Sequence, residues 1–348
     1  MTSLTLQIYH QSNFAELKSV WEVLEKGREM TYFQTYHWNK MLLNGIPSDS
    51  SWSETCFVVV FREQQPIMIA PLWIIKKTYR IIHKPGVFVL GTGGWSDYLN
   101  FIYDTFYSEA VDAILEYVKR TYGHLPMTFS SLKGASSLAY YLHTTQSVLS
   151  DATGQCVTLD LPQTYEAWWQ SLSKHTKQNI RTARNRLLKD GVDYTICFDN
   201  QVIDKHYCIA IRNARSKKKL TRDEGRVPLP KRVKRWIKSK FCSIPTKGYL
   251  PILDDKGALI MTLCHSDELM AYFHYSIDAA HRQVVVLSAG VVDKYTKYSP
   301  GIILMTSFIE TLISNQDIIS VDFTRGDEPY KLALGGNRME NHTITIQL

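Results

Sequence analysis

Residues 299–323, SPGIILMTSFIETLISNQDIISVDF, decide how the second half of the chain is read. Ser299 offers an N-cap hydroxyl. Pro300 at the first helical position gives up an N–H that would be unpaired anyway, and Gly301 removes side-chain bulk beside it. The spacing predicts a helix to about Ser314, and DIISVDF after it predicts a buried strand. Upstream lie four alternating runs: GYLPILDDKG (248–257), ALIMTLCHSDE (258–268), LMAYFHYSIDA (269–279) and QVVVLSAGVV (283–292). Polar turns divide them, so they read as an antiparallel meander. A meander, a crossover helix and one further strand make a mixed α/β arrangement with mainly antiparallel sheets.

The first half repeats this order of elements without repeating residues. Asn13 is placed to cap a helix over 14–26, and a second helix is expected over 36–45. TCFVVVF (55–61) and PIMIAPLWII (66–75) form a predicted hairpin across Arg62–Gln65. Strands near YRIIH (79–83) and DYLNFI (97–102), a helix over 107–123 and a strand MTFSSL (127–132) complete it. The second half adds a strand QCVTLDL (155–161), helices over 164–172 and 173–191, a strand YTICF (194–198) and a helix near 202–214. The polar stretch SDATGQ (150–155) marks the expected boundary, giving domains 1–155 and 156–348.

Composition narrows the function classes. With 45% hydrophobic and 21% charged residues in 348, and no apolar run near the ~18 residues of a membrane span, the chain reads as globular. The start, MTSLTLQIYH, has no basic region followed by an apolar stretch, so no signal peptide is expected and a reduced cytoplasm is the default. The six cysteines are scattered without CxxC or CxxH spacing, which argues against zinc and a disulfide framework, so no metal is expected. The net charge of +7 is uneven: residues 174–190 carry +5 and 217–240 carry +9, leaving the remainder at −7. Such concentration suits an anionic partner or a solvated basic face with a loop over a cleft.

The chemistry gathers where the last predicted buried strand leaves the core, in SVDFTRGDEPYKLALGG (320–336). Free N–H groups and the helix dipole at Ser299-Pro300-Gly301 make a phosphate site, with Lys294 and Lys297 upstream adding positive charge. The two segments should emerge near one edge of the same sheet. Acyl transfer from a thioester needs that combination: a base for the acceptor proton and a donor for the oxyanion. Asp322 or Asp327 can supply the first, and Tyr330 or Lys331 the second, with Arg325 between them. The plainer reading is an ordinary capped helix followed by a loop fixed by its own ion pairs.

KYSPGIILMTSFIE with VDFTRGDEPYKLALGG resembles the C-terminal signature of the CelD-like (BcsL-like) acetyltransferases of the GNAT superfamily. SLSKHTKQNIRTARNRLLKDG resembles that family's basic helix, and YFQTYHWNKMLL, PIMIAPLWI and SDYLNFI resemble its N-terminal landmarks. One departure is Leu332-Ala333-Leu334, where the family often has an aromatic. The resemblance implies tandem GNAT-like domains, as in Fem-type peptidyltransferases. It implies an acyl-CoA donor, acetyl-CoA foremost, held by Lys297, Tyr298, Ser299, Pro300, Gly301 and Arg325. Lys331 aligns with a lysine held to assist Fem-like relatives. Arg181 and Arg184 on the basic helix are candidates to grip an anionic acceptor. A sugar, glycan precursor or small molecule is the expected acceptor, in polysaccharide or cell-envelope synthesis. Two other readings stay open: an aminoacyltransferase drawing on aminoacyl-tRNA, and a non-catalytic module with this fold. The sequence leaves membrane-surface contact and oligomeric state open.

Overall fold

The computed structural model describes residues 4–45, 51–77, 84–93, 96–198, 208, 210–211 and 259–348. The expected strands at 79–83 and 248–257, most of the helix near 202–214 and the basic segment 217–240 lie outside these residues. The described chain falls into two compact units. One holds residues 4–155 together with Met339–Leu348, the other the described residues from Cys156 to Arg338.

In the first unit the sheet order is β1 (Leu4–Tyr9), β2 (Ser53–Arg62), β3 (Gln65–Ile75), β4 (Gly86–Val89), β5 (Met127–Lys133) and then the last strand of the chain, β12 (Asn337–Ile346). The β2–β3 hairpin turns at Glu63 and Gln64, both left-handed at φ 49° and 69°, the twist that a two-residue hairpin prefers. Its burial is nearly continuous along both strands. Helices α1 (Lys18–Leu24), α2 (Tyr36–Gly45), α3 (Ser108–Tyr122) and α4 (Ser137–Thr145) complete the unit. α3 links β4 to β5, which pair in parallel.

Three details differ from the sequence expectations. Asn13 does not cap α1: it lies inside a short 3-10 turn, Gln11–Leu17, where its Oδ1 accepts the His10 N–H at 2.8 Å. Residues 97–102 form no strand; they are buried but touch β3 through a single bridge, Ile69 to Ile102. The strand expected at 155–161 begins earlier, as β6 (Val148–Asp160), and runs through the polar stretch 150–155, exposed at first and buried only from Cys156 onward. Polar residues suit a strand whose faces both meet solvent, so polarity alone hid it.

The second unit orders β6, β11 (Ser320–Arg325), β10 (Gln283–Val291), β9 (Glu268–Asp278), β8 (Leu259–His265) and β7 (Thr195–Phe198). β8, β9 and β10 pair antiparallel, as the meander predicts, and β7 joins them antiparallel to β8. α5 (Tyr165–Ser171) and α6 (Lys174–Lys189) start at Thr164 and Ser173, whose hydroxyls accept N–H groups of the first turn. α7 (Pro300–Asn315) then crosses from β10 to β11, which pair in parallel. Its Ile303, Leu304, Phe308 and Ile309 are fully buried, with Phe308 4.8 Å from the Tyr275 ring. Burying each such side chain contributes roughly 1.5–3 kcal/mol, so α7 is fixed firmly to the sheet. A short helix unforeseen from sequence, α8 (Pro329–Ala333), begins on proline.

Candidate active site

β10 and β11 are in register only over Gln283–Val285 and Ser320–Asp322. Immediately beyond, both strands slip: β10 between Val286 and Ser288 against β9, and β11 between Asp322 and Arg325 against β6. Bulges on adjoining strands bend and part a sheet. Here they are pinned by side chains. Asp322 Oδ1 accepts the Thr324 N–H at 2.7 Å, and Thr324 takes a left-handed backbone at φ 57°. Thr324 Oγ1 then donates to the Val286 carbonyl at 3.0 Å. Past that link β10 runs on to Val291 without a β11 partner in register.

A cavity of ≈ 660 Å³ borders that stretch. Ala289–Val292 line one side, Phe273 of β9 adds to it, and the start of α7 (Ser299, Pro300, Gly301, Ile302) and Tyr330 of α8 also line it. The wall must stay thin. A Cβ at Gly290 would stand 2.3 Å from Tyr272 Cε1, and one at Gly301 would press on Val291 Cγ2 at 3.2 Å. Ser299 precedes α7 with φ 52° and ψ 49°, and its hydroxyl makes no capping bond. Its own N–H goes to the Thr296 carbonyl, and the Ile302 N–H goes to the Ser299 carbonyl. Pro300 has no N–H, so the Gly301 N–H is left without a protein acceptor among the described residues.

The other expected site residues are placed elsewhere. Asp322 is 1% exposed and spends its carboxylate on the turn at Thr324. Lys331 is buried too: its Nζ donates to the Arg325 and Gly326 carbonyls, both at 2.9 Å, and lies 2.8 Å from Glu328 Oε2. Two hydrogen bonds and an ion pair make it a clamp on the 325–328 loop, directly ahead of Tyr330. Asp327 is exposed and pairs with Arg338 at 3.1 Å rather than with Arg325, whose side chain is exposed at the end of β11. Gly335 is left-handed at φ 97°, and a Cβ at Gly336 would stand 2.4 Å from Val157 Cγ1, so the double glycine closes the turn against β6.

The two lysines ahead of α7 are also committed. Lys297 Nζ lies 2.9 Å from Asp190 Oδ2, and the Tyr298 hydroxyl donates to the same oxygen at 2.8 Å. Those two bonds, the lysine's first, hold the Asp190 carboxyl below its ordinary range. Lys294 and the Tyr295 hydroxyl do the same to Glu268. Arg181 sits 5.6 Å over the Trp169 ring, while Arg184 hydrogen-bonds Tyr165. Neither lines the cavity. Of the expected residues, the structure therefore brings Ser299, Pro300, Gly301 and Tyr330 to one cavity. It adds the end of β10, which the sequence signalled only by the small residues of Ser288-Ala-Gly290.

Residues 174–332 match the family model described as Acetyltransferase (GNAT) domain. No curated protein matches the chain by sequence. Among solved structures, FemX is similar over 97% of this chain and 97% of its own at 10% identity, with a TM-score of 0.59. L-PGS from Bacillus licheniformis is similar over 95% and 91% at 11% identity, TM-score 0.53. A conserved protein of unknown function from Bacteroides thetaiotaomicron VPI-5482 is similar over 98% and 100% at 9% identity, TM-score 0.52. At such identities the likeness speaks for the fold. Residues 174–332 of the second unit are thus similar to the GNAT acetyltransferase domain, in a chain whose mixed α/β fold is similar over 97% of its length to that of FemX.

Proposed function

We propose that the second unit transfers an acyl group from an acyl-CoA, acetyl-CoA foremost, to an amine or hydroxyl of a small acceptor. The observation that carries this reading is the cavity shared by the start of α7 and Tyr330, opened where β10 outruns β11. The fit to the donor is local and specific. The Gly301 N–H, at the positive end of a 16-residue helix, suits a phosphate oxygen. The glycine-thinned wall of β10 admits a narrow chain beside the backbone. Bound there, the thioester supplies an activated carbonyl. Acceptor attack on that carbon forms the new bond, the C–S bond breaks, and the proton shed by the acceptor amine or hydroxyl is passed on to the departing thiolate. Tyr330 is the hydroxyl-bearing side chain of α8 lining the cavity, and it is assigned that proton and the steadying of the oxyanion. Asp322 and Lys331 act through position: one fixes the bulge, the other the loop that delivers Tyr330.

Aminoacyl transfer from aminoacyl-tRNA is the second reading. It is favoured by the exposed basic residues of α6 (Lys174, Arg181, Arg186, Lys189) in the same unit. Thermal unfolding with CoA, acetyl-CoA, longer acyl-CoAs and aminoacyl-tRNA separates the two. A true donor at 100 times its Kd stabilises by about 2.7 kcal/mol. Acyl-CoA should raise the melting point and CoA release should follow on adding acceptor. A rise with aminoacyl-tRNA alone would replace the first reading by the second.

A further inference from the structure

In the first unit, His143 and Asp151, eight positions apart, meet the distant His342 at a spot that does not line the cavity. His143 lies in the last turn of α4, Asp151 in the exposed start of β6 and His342 in β12. His143 Nε2 is 2.9 Å from Asp151 Oδ2, and His342 Nδ1 is 3.0 and 2.9 Å from the two oxygens of the same carboxylate. The two imidazoles stand 5.3 Å apart at 79°. One ligating atom from each residue lies within 4.8 Å of the other two.

We propose that His143, Asp151 and His342 form a site for one divalent transition-metal ion of the zinc, cobalt or nickel class. Tetrahedral bonds of about 2.1 Å set their donor atoms roughly 3.4 Å apart. The closest pairs here, at 2.9 Å, need to open by only about half an ångström to admit the ion. Two imidazoles and one carboxylate suit a borderline cation, whereas calcium and magnesium take oxygen sets. The surroundings are shaped for the ring. Gly134 leaves room for His342, since a Cβ there would stand 3.0 Å from His342 Cδ2. Glu340 Oε1 lies 4.0 Å from His342 Nε2, the nitrogen that stays protonated when Nδ1 ligates. Partial exposure, 36% for His143 and 17% for His342, gives an entry path and a solvent-facing fourth position. Binding ties α4 to β6 and β12, and releases whatever proton the cluster shares.

The test uses the full chain after EDTA treatment and dialysis, titrated with ZnCl2 and CoCl2. We expect one equivalent bound, visible ligand-field absorption for cobalt, and a melting-point rise that EDTA reverses. His143→Ala, a change at a partly exposed position, and Asp151→Asn should each weaken binding at least ~10-fold. Zinc also has affinity for thiols, and the chain has free cysteines, so the variants decide. Stoichiometric binding that both variants leave unchanged, or no binding by the wild type, would overturn the proposal.

Discussion

Tyr330 and Lys331 are neighbours in sequence with opposite duties, and substitution should part them. Tyr330 lines the cavity, half-buried at the start of α8. Tyr330→Phe removes one oxygen and should cut transfer by roughly 100- to 1000-fold with little change in stability. A variant with wild-type turnover would take the acid role from Tyr330. Lys331 is 4% exposed and spends its ammonium on two carbonyls and Glu328. Lys331→Met strands those oxygens, so its unfolding free energy should drop by about 2–4 kcal/mol, read as an earlier urea midpoint. Sequence alone offered both residues as oxyanion donors. A lysine and a tyrosine beside a strand exit look alike until burial and the loop's carbonyls are known. Asp322 was ambiguous for the same reason, because the turn it holds depends on Thr324 adopting φ 57°.

Among the elements, the helix and strand that bracket the cavity were legible because their signals are local. Ser-Pro-Gly announced α7, and alternation announced β8–β10. What no local signal announced is where β10 and β11 stop pairing, since register depends on both strands at once. The 3-10 segment ahead of α7 (Asp293–Tyr298) shows a related gap: its lysines read as mobile charge, yet Asp190 at the end of α6 and Glu268 at the start of β9 hold them. Arg186 adds a hydrogen bond to the Lys297 carbonyl. Because Asp190 and Glu268 titrate below their ordinary values in the fold, their contribution is present above the carboxylate range. It is lost as pH falls through the lowered values. Hydrogen exchange over 293–298 should therefore quicken on going from about pH 6 to pH 3, after correction for the intrinsic rate. Asp190→Asn should quicken it at pH 6 and flatten much of that dependence. An unchanged acid response in the variant would show that the tie is idle.

For the whole molecule, the unit of strand, crossover helix and parallel strand was readable as β10–α7–β11. In the first half α3 and β5 were expected but their parallel partner β4 was not, a strand being expected at 97–102 instead. The halves differ in what that parallel pair leaves open. The solvated polar start of β6 was not read as strand, and the cluster of His143, Asp151 and His342 is spread over almost two hundred positions. No helix among the described residues is long and apolar enough to cross a membrane. The account rests on the cavity at the start of α7 as the place where the donor sits, and calorimetric titration of acetyl-CoA into wild type and Gly301→Val tests it. The valine would cover the Gly301 N–H and push against Val291, which a bare Cβ already approaches at 3.2 Å. Saturable binding to the wild type, weakened at least ~10-fold (about 1.4 kcal/mol) in a variant of unchanged melting point, is the predicted result. Equal affinity in the two proteins, or no heat with any acyl-CoA, would contradict it.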